Sequence, residues 1–111
     1  MISCQKVDLN DEDQCNVVID LLNTYAKDLM GGGEELSADI KTNLPIELRK
    51  RSNICHIFIA YNTMSLPIGL AICFEAFSTF SCKPLLNIHD FCVIPHYRRY
   101  INFGFNFSNS I

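Results

Sequence analysis

At 111 residues, 49% hydrophobic and 19% charged, the chain is long enough for one small domain with its own core and too apolar to be disordered. Lys and Arg number 9 against 12 Asp and Glu, a formal net charge of −3; this lacks the basic stripe of a nucleic-acid binder and permits a cationic small-molecule partner. No apolar run reaches the roughly 18 residues of a membrane-spanning helix, and Met1 to Lys6 lack the apolar stretch of a secretory signal, so a cytoplasmic protein is expected.

In chain order, residues 2–8 read as a short strand. Asn10 and Asp11 then offer helix caps, with Gln14 three residues beyond Asp11 in an approximate capping box. Cys15, Val18, Ile19, Leu22, Tyr25, Ala26 and Leu29 recur at three- and four-residue intervals, which predicts one apolar face of a helix of about four turns. Gly31-Gly32-Gly33 should end it, since each glycine costs roughly 1 kcal/mol inside a helix. Ser37 predicts the cap of a second helix carrying Ile40 and Leu44. Pro45, which has no N–H, is expected to start a further turn with Ile46 and Leu48. Arg49-Lys50-Arg51 read as a solvated helix end of the sign the dipole favours.

The middle of the chain reads as β. Ile54 to Tyr61 is rich in Ile, Phe and Tyr, and Asn62 to Ser65 supplies a turn. Residues 68–75 alternate large and small side chains, and Leu85 to Ile94 makes a further strand closed by Pro95. The resulting order is β-α-α-β-β-β in an α+β domain whose consecutive strands are placed to pair antiparallel. From Tyr100 onward the sequence is uncharged, and Ile101, Phe103, Phe105 and Phe107 alternate with small or polar residues, a period that predicts a strand.

The six cysteines, at 4, 15, 55, 73, 82 and 92, lie mostly within apolar segments, where free Cys behaves as a small hydrophobe. Without a secretory signal a disulfide framework is not expected. Cys82, His89, Cys92 and His96 invite a zinc reading, but their spacing matches no common finger and strand alternation is expected to place His89 and Cys92 on opposite faces, so no metal is assigned.

Residues 85–98, Leu-Leu-Asn-Ile-His-Asp-Phe-Cys-Val-Ile-Pro-His-Tyr-Arg, carry a recognisable pattern. With Asp90, Val93, Pro95 and Arg98, the segment resembles the strand of the GNAT superfamily of acetyl-CoA-dependent N-acetyltransferases that precedes their glycine-rich turn and helix. The stretch Pro67 to Phe80 is similar to the third strand and following loop of that superfamily's diamine acetyltransferase branch. The resemblance covers residues 1 to about 99 as a partial domain and leaves 100–111 as a divergent tail.

This resemblance implies the N-terminal part of the GNAT fold, a mixed, mostly antiparallel sheet with helices packed on it. It implies acetyl-CoA as cosubstrate and a small-molecule primary amine as acceptor, with neither nucleic acid nor membrane involved. Phe91-Cys92-Val93 would pair with the pantetheine arm, and Arg98 would meet the pyrophosphate. His89 stands where the diamine branch has a carboxylate general base, and an imidazole is suited to accept a proton near neutrality. Glu75, at the end of the third strand, would attract the cationic amine. For each of these residues an ordinary structural or surface role is the competing reading.

The tail departs from the family. Its turn carries two glycines after the arginine, and here Ile101 and Phe103 occupy those positions, with Gly104 one place late. A side chain there would fill the space a phosphate needs. A frameshift or truncated gene is the expectation for this tail, with impaired activity; sequencing the downstream DNA tests it, and the absence of any frame continuing into a G-x-G turn and helix would refute it. The alternative is a non-catalytic remnant acting as a binding or oligomerising domain, with dimerisation by strand exchange as one route. Gly31 to Gly33 match no phosphate-binding loop, since no Gly-Lys-Ser/Thr follows, and read as a loop between the helices beside the acceptor site.

Overall fold

The computed structural model describes residues 2–28 and 31–100, the last three as backbone only. After β1 (Ser3–Lys6), the chain enters α1 (Glu12–Lys27) through a cap built by Asp11. The Asp11 carboxylate accepts from the N–H groups of Asp13 and Gln14 at 2.9 and 3.2 Å, and the Gln14 amide donates to it at 3.1 Å. Gln14 Oε1 in turn accepts from the Asp8 N–H at 2.8 Å, so one glutamine joins the strand exit to the helix start. Asp11→Ala should lower stability by about 1 kcal/mol, read as a shift in the urea midpoint. No shift at all would show that the cap contributes nothing.

Ser37 caps α2 (Ala38–Lys50), its hydroxyl accepting from the Ile40 N–H at 3.2 Å. Contrary to the sequence expectation, Pro45 does not begin a separate turn, because α2 runs straight through it. The proline removes one backbone donor, but with Leu48 it walls a small apolar pocket against Leu9, Cys15, Val18 and Ile19, so packing on α1 offsets the lost bond. The basic run divides its work. Lys50 and Arg51 each lie 3.0 Å from a Glu47 carboxylate oxygen, whereas Arg49 Nε donates to the Leu9 carbonyl at 2.9 Å and ties α2 to the start of α1.

β2 (Cys55–Tyr61), β3 (Pro67–Ser78) and β4 (Lys83–Val93) follow, then a short 3-10 helix over Pro95–Tyr100. The sheet order is β1-β2-β3-β4, and every pairing among these strands is antiparallel. One face carries Ile57, Ile59, Leu70, Ile72 and Cys92 against Val18 and Leu21 of α1 and Leu48 of α2. The other gathers Phe58, Ala60, Ile68, Ala71 and Cys73. α1 and α2 both pack on the first face, and no described helix is long and apolar enough to cross a membrane.

Pairing of β3 with β2 stops at Phe74, while pairing with β4 continues to Ser78, so the end of the β3–β4 hairpin is a two-stranded ribbon. Along β4 the register slips. Ile72 pairs with Asp90 and Cys73 with Ile88, leaving His89 as the extra residue of a β-bulge. The strand expected over 100–111 lies outside the described residues except for Tyr100, which ends the 3-10 helix.

Candidate functional site

The end of β4 sorts its backbone groups by direction. The Ile94 N–H donates to the Ile68 carbonyl at 2.9 Å, and Cys92 pairs with Leu70 in the same register. Alternation in an antiparallel ladder then turns Cys92 toward β3, while the N–H and C=O of Phe91 and Val93 point to the outer edge of β4. Of the three consecutive residues expected along a cofactor, two therefore face that edge. Cys92 instead puts its side chain into the helix-side core at 6% exposure. Burial, and then the Asp90 charge, push its thiol up to about 12, which rules it out as a nucleophile near neutrality.

Arg98 lies in the 3-10 helix that leaves β4, so its backbone follows directly on the strand end. Two residues that the sequence pattern did not mark fix that helix in place. Asn62 Nδ2 donates to the Tyr97 hydroxyl at 3.1 Å, and Asn62 Oδ1 accepts from the N–H groups of Met64 and Leu66 at 2.9 and 3.0 Å. The β2–β3 turn is thereby fastened to the segment carrying Arg98. An Asn opening a turn is a legible signal; its reach to a residue 35 positions away is not.

His89 packs edge-on against Phe74, ring centroids 5.5 Å apart, with 68% of its side chain exposed. Its Nε2 stands 4.0 Å from Asp90 Oδ2, at the outer limit of an ion pair. Phe74 belongs to the helix-side core, so the bulge puts His89 on the same face as Cys92. This corrects the expectation of opposite faces, which assumed unbroken alternation. Even so, the described residues contain no group of three His, Cys, Asp or Glu placed to hold a metal ion.

Glu75 is elsewhere. It pairs with Leu86, a residue packed against the second core, and its carboxylate lies 3.0 Å from His56 Nε2. The sheet separates it from His89, so the two expected polar contacts do not share one pocket. His56, unmarked in the sequence reading, has 17% of its side chain exposed and a buried Nδ1 with no hydrogen-bond partner.

Beside the end of β4 lies a shallow depression with enclosed room of about 10 Å³, no more than a single water needs. Thr24, Tyr25 and Asp28 line it from the end of α1, and Cys92, Val93, Ile94 and Pro95 from the end of β4. Its exposed lining is almost wholly apolar.

No family model matches the sequence, and no curated protein matches it. Solved structures do match, GNAT family and aminoglycoside acetyltransferases among them. A possible acetyltransferase from Clostridium difficile 630 superposes with a TM-score of 0.72 at 17% identity, over 98% of this chain and 68% of that one. The aminoglycoside acetyltransferase meta-AAC0020 from an uncultured soil metagenomic sample, in complex with sisomicin, gives 0.64 at 19% identity, over 88% and 59%. A predicted acetyltransferase from Clostridium acetobutylicum, with acetyl-CoA, gives 0.60 at 20% identity, over 88% and 63%. The chain thus spans roughly three fifths to two thirds of these neighbours' lengths. At such identities the likeness establishes architecture, and the fold of this chain is that of the GNAT acetyltransferases.

Proposed function

We propose that the chain binds acetyl-CoA along the end of β4 and transfers its acetyl group to a primary amine of a small molecule. The observation that carries this reading is the fold itself, shared with acetyltransferases, in which Phe91-Cys92-Val93 ends β4 just before the turn that carries Arg98. The resemblance implies that the pantetheine arm would run along this end of β4, beside Phe91, Cys92 and Val93. Their N–H groups would polarise the thioester carbonyl and stabilise the oxyanion that forms when the amine nitrogen attacks. The carbon–sulfur bond then breaks and coenzyme A leaves as its thiol.

His89 takes the ammonium proton before attack. It stands two residues from Phe91, about 7 Å along the strand, a gap that a short chain of waters would span. Arg98 meets the pyrophosphate. The acceptor class is supported by the sisomicin-bound neighbour, and the resemblance of Pro67 to Phe80 favours diamines within it. Glu75, held by His56 on the far face, is not part of this amine site.

Ile101 and Phe103, at the family's glycine positions, favour a second reading in which the fold persists as a non-catalytic binding domain. Calorimetric titration of the full chain with acetyl-CoA separates the two. Saturable binding in the micromolar range supports acetyl transfer, with affinity reduced by the altered turn. No heat at millimolar acetyl-CoA overturns it and leaves the binding domain.

A further inference from the structure

We infer that Asn62, in the turn between β2 and β3, is a positioning residue for acetyl-CoA binding: through the Tyr97 hydroxyl it holds the 3-10 helix that sets where Arg98 meets the pyrophosphate. This rests on the acetyl-transfer reading and deepens it. In the sequence, Ile101 and Phe103 replace the two glycines that would let a phosphate approach backbone N–H groups closely. More of the anion's charge therefore falls to the arginine. A guanidinium grips a phosphate through two parallel N–H bonds, and that grip needs the backbone carrying it to be fixed in place.

Both polar atoms of the Asn62 side chain are engaged. Its Oδ1 accepts from the N–H groups of Met64 and Leu66, and its Nδ2 donates to the Tyr97 hydroxyl at 3.1 Å. The Asn62 backbone closes the same turn, its N–H donating to the Leu66 carbonyl and its carbonyl accepting from the Ser65 N–H, both at 3.0 Å. These four bonds within the turn hold Ser65 at φ +62°, a left-handed conformation that residues other than glycine seldom adopt. Tyr97 meets this rigid turn from the other side. Its ring packs on the second core, which includes Phe58 and Ala71, and its N–H donates to the Ile94 carbonyl at 2.8 Å. The Ile94 N–H in turn donates to the Ile68 carbonyl. The 3-10 helix is thus tied to β3 at its base and to the β2–β3 turn at the residue immediately before Arg98. Six residues of 3-10 helix have few bonds of their own and poor bond geometry, so these outside ties set its direction.

The test is calorimetric affinity for acetyl-CoA in wild type, Tyr97→Phe, Arg98→Gln and the double variant, all as the full chain. Tyr97→Phe keeps the ring and its packing and removes only the hydroxyl, so binding should weaken about fivefold, the worth of one hydrogen bond. Arg98→Gln should weaken it about tenfold or more. Because Asn62 acts through Arg98, the double variant should bind within about twofold of Arg98→Gln alone. A contact that merely stabilised the fold would show its fivefold loss again in that background. Asn62→Ser breaks the same bond from the other side: its hydroxyl can still close the turn but is too short to reach Tyr97, and its loss should match that of Tyr97→Phe. Urea unfolding shows that each variant is folded under the titration conditions. Unchanged affinity in Tyr97→Phe or Asn62→Ser, or losses that multiply in the double variant, would overturn the inference while leaving the acetyl-transfer reading intact. Failure of wild type to bind acetyl-CoA would instead remove the function on which it rests.

Discussion

Phe58→Ala is expected to destabilise the protein by about 3–5 kcal/mol, lowering the thermal midpoint by on the order of 10 °C or more. Phe58 is 0% exposed and is the largest fully buried side chain among the described residues, in the core on the face away from α1 and α2. Its antiparallel partner is Ala71, and Ala60 belongs to the same cluster. With small side chains beside it, the ring fills space that no neighbour can reclaim, so truncation removes burial and leaves a cavity. Equilibrium urea unfolding gives the free-energy change directly. A loss below about 1 kcal/mol would mean that this second face is not a packed core, and that helix packing on the other face alone carries the sheet.

What was legible in the sequence is what local chemistry dictates. Asp11 and Ser37 were readable as caps because their side chains satisfy N–H groups only two or three residues ahead. The periodic face of α1 was readable from Cys15 to Tyr25, though Leu21 is more deeply buried than the expected Leu22. Misreadings arose where tertiary packing overrides local preference. Pro45 is tolerated within α2 because it sits against α1, a contact that no window around residue 45 contains.

Site residues were legible as chemical types but not as an arrangement. Alternation gave the faces of β3 correctly from Leu70 to Phe74, though Ile68 falls in the opposite core, and the bulge at His89 moves that ring to the helix side without leaving any mark on composition. Glu75 looked like a cleft carboxylate because its partner His56 is 19 residues away, on a strand whose register was not yet known.

Raising the pH above 9 should destabilise the protein well before its backbone chemistry is affected. Burial, and then the neighbouring Cys73, raise the Cys55 thiol from 9.0 to about 11, while burial and then Asp90 raise Cys92 from 9.0 to about 12. In the unfolded chain both thiols release protons near pH 9, whereas the folded chain holds them. Above that point the unfolded state binds fewer protons, and stability must fall as pH rises. The loss is absent below pH 9, grows through pH 11 for Cys55 and pH 12 for Cys92, and reaches about 3 and about 4 kcal/mol respectively as order-of-magnitude limits. Against a total stability of about 5–15 kcal/mol for domains of this kind, that is enough to unfold much of the population. Lysines and tyrosines titrate in the same range, so the diagnostic comparison is urea unfolding of wild type and Cys92→Ala at pH 8 and pH 10.5. The alanine variant starts less stable but should lose less between the two pH values. Equal losses would show that the Cys92 thiol ionises as freely in the fold as outside it. The same neutrality bears on the proposed chemistry: a thiol that stays protonated at the strand end would not take the acetyl group first, which favours direct transfer to the amine. Exposed Cys82 should accordingly react with a disulfide reagent at pH 8 while Cys92 reacts only under denaturant, and prompt labelling of Cys92 would reopen a covalent route.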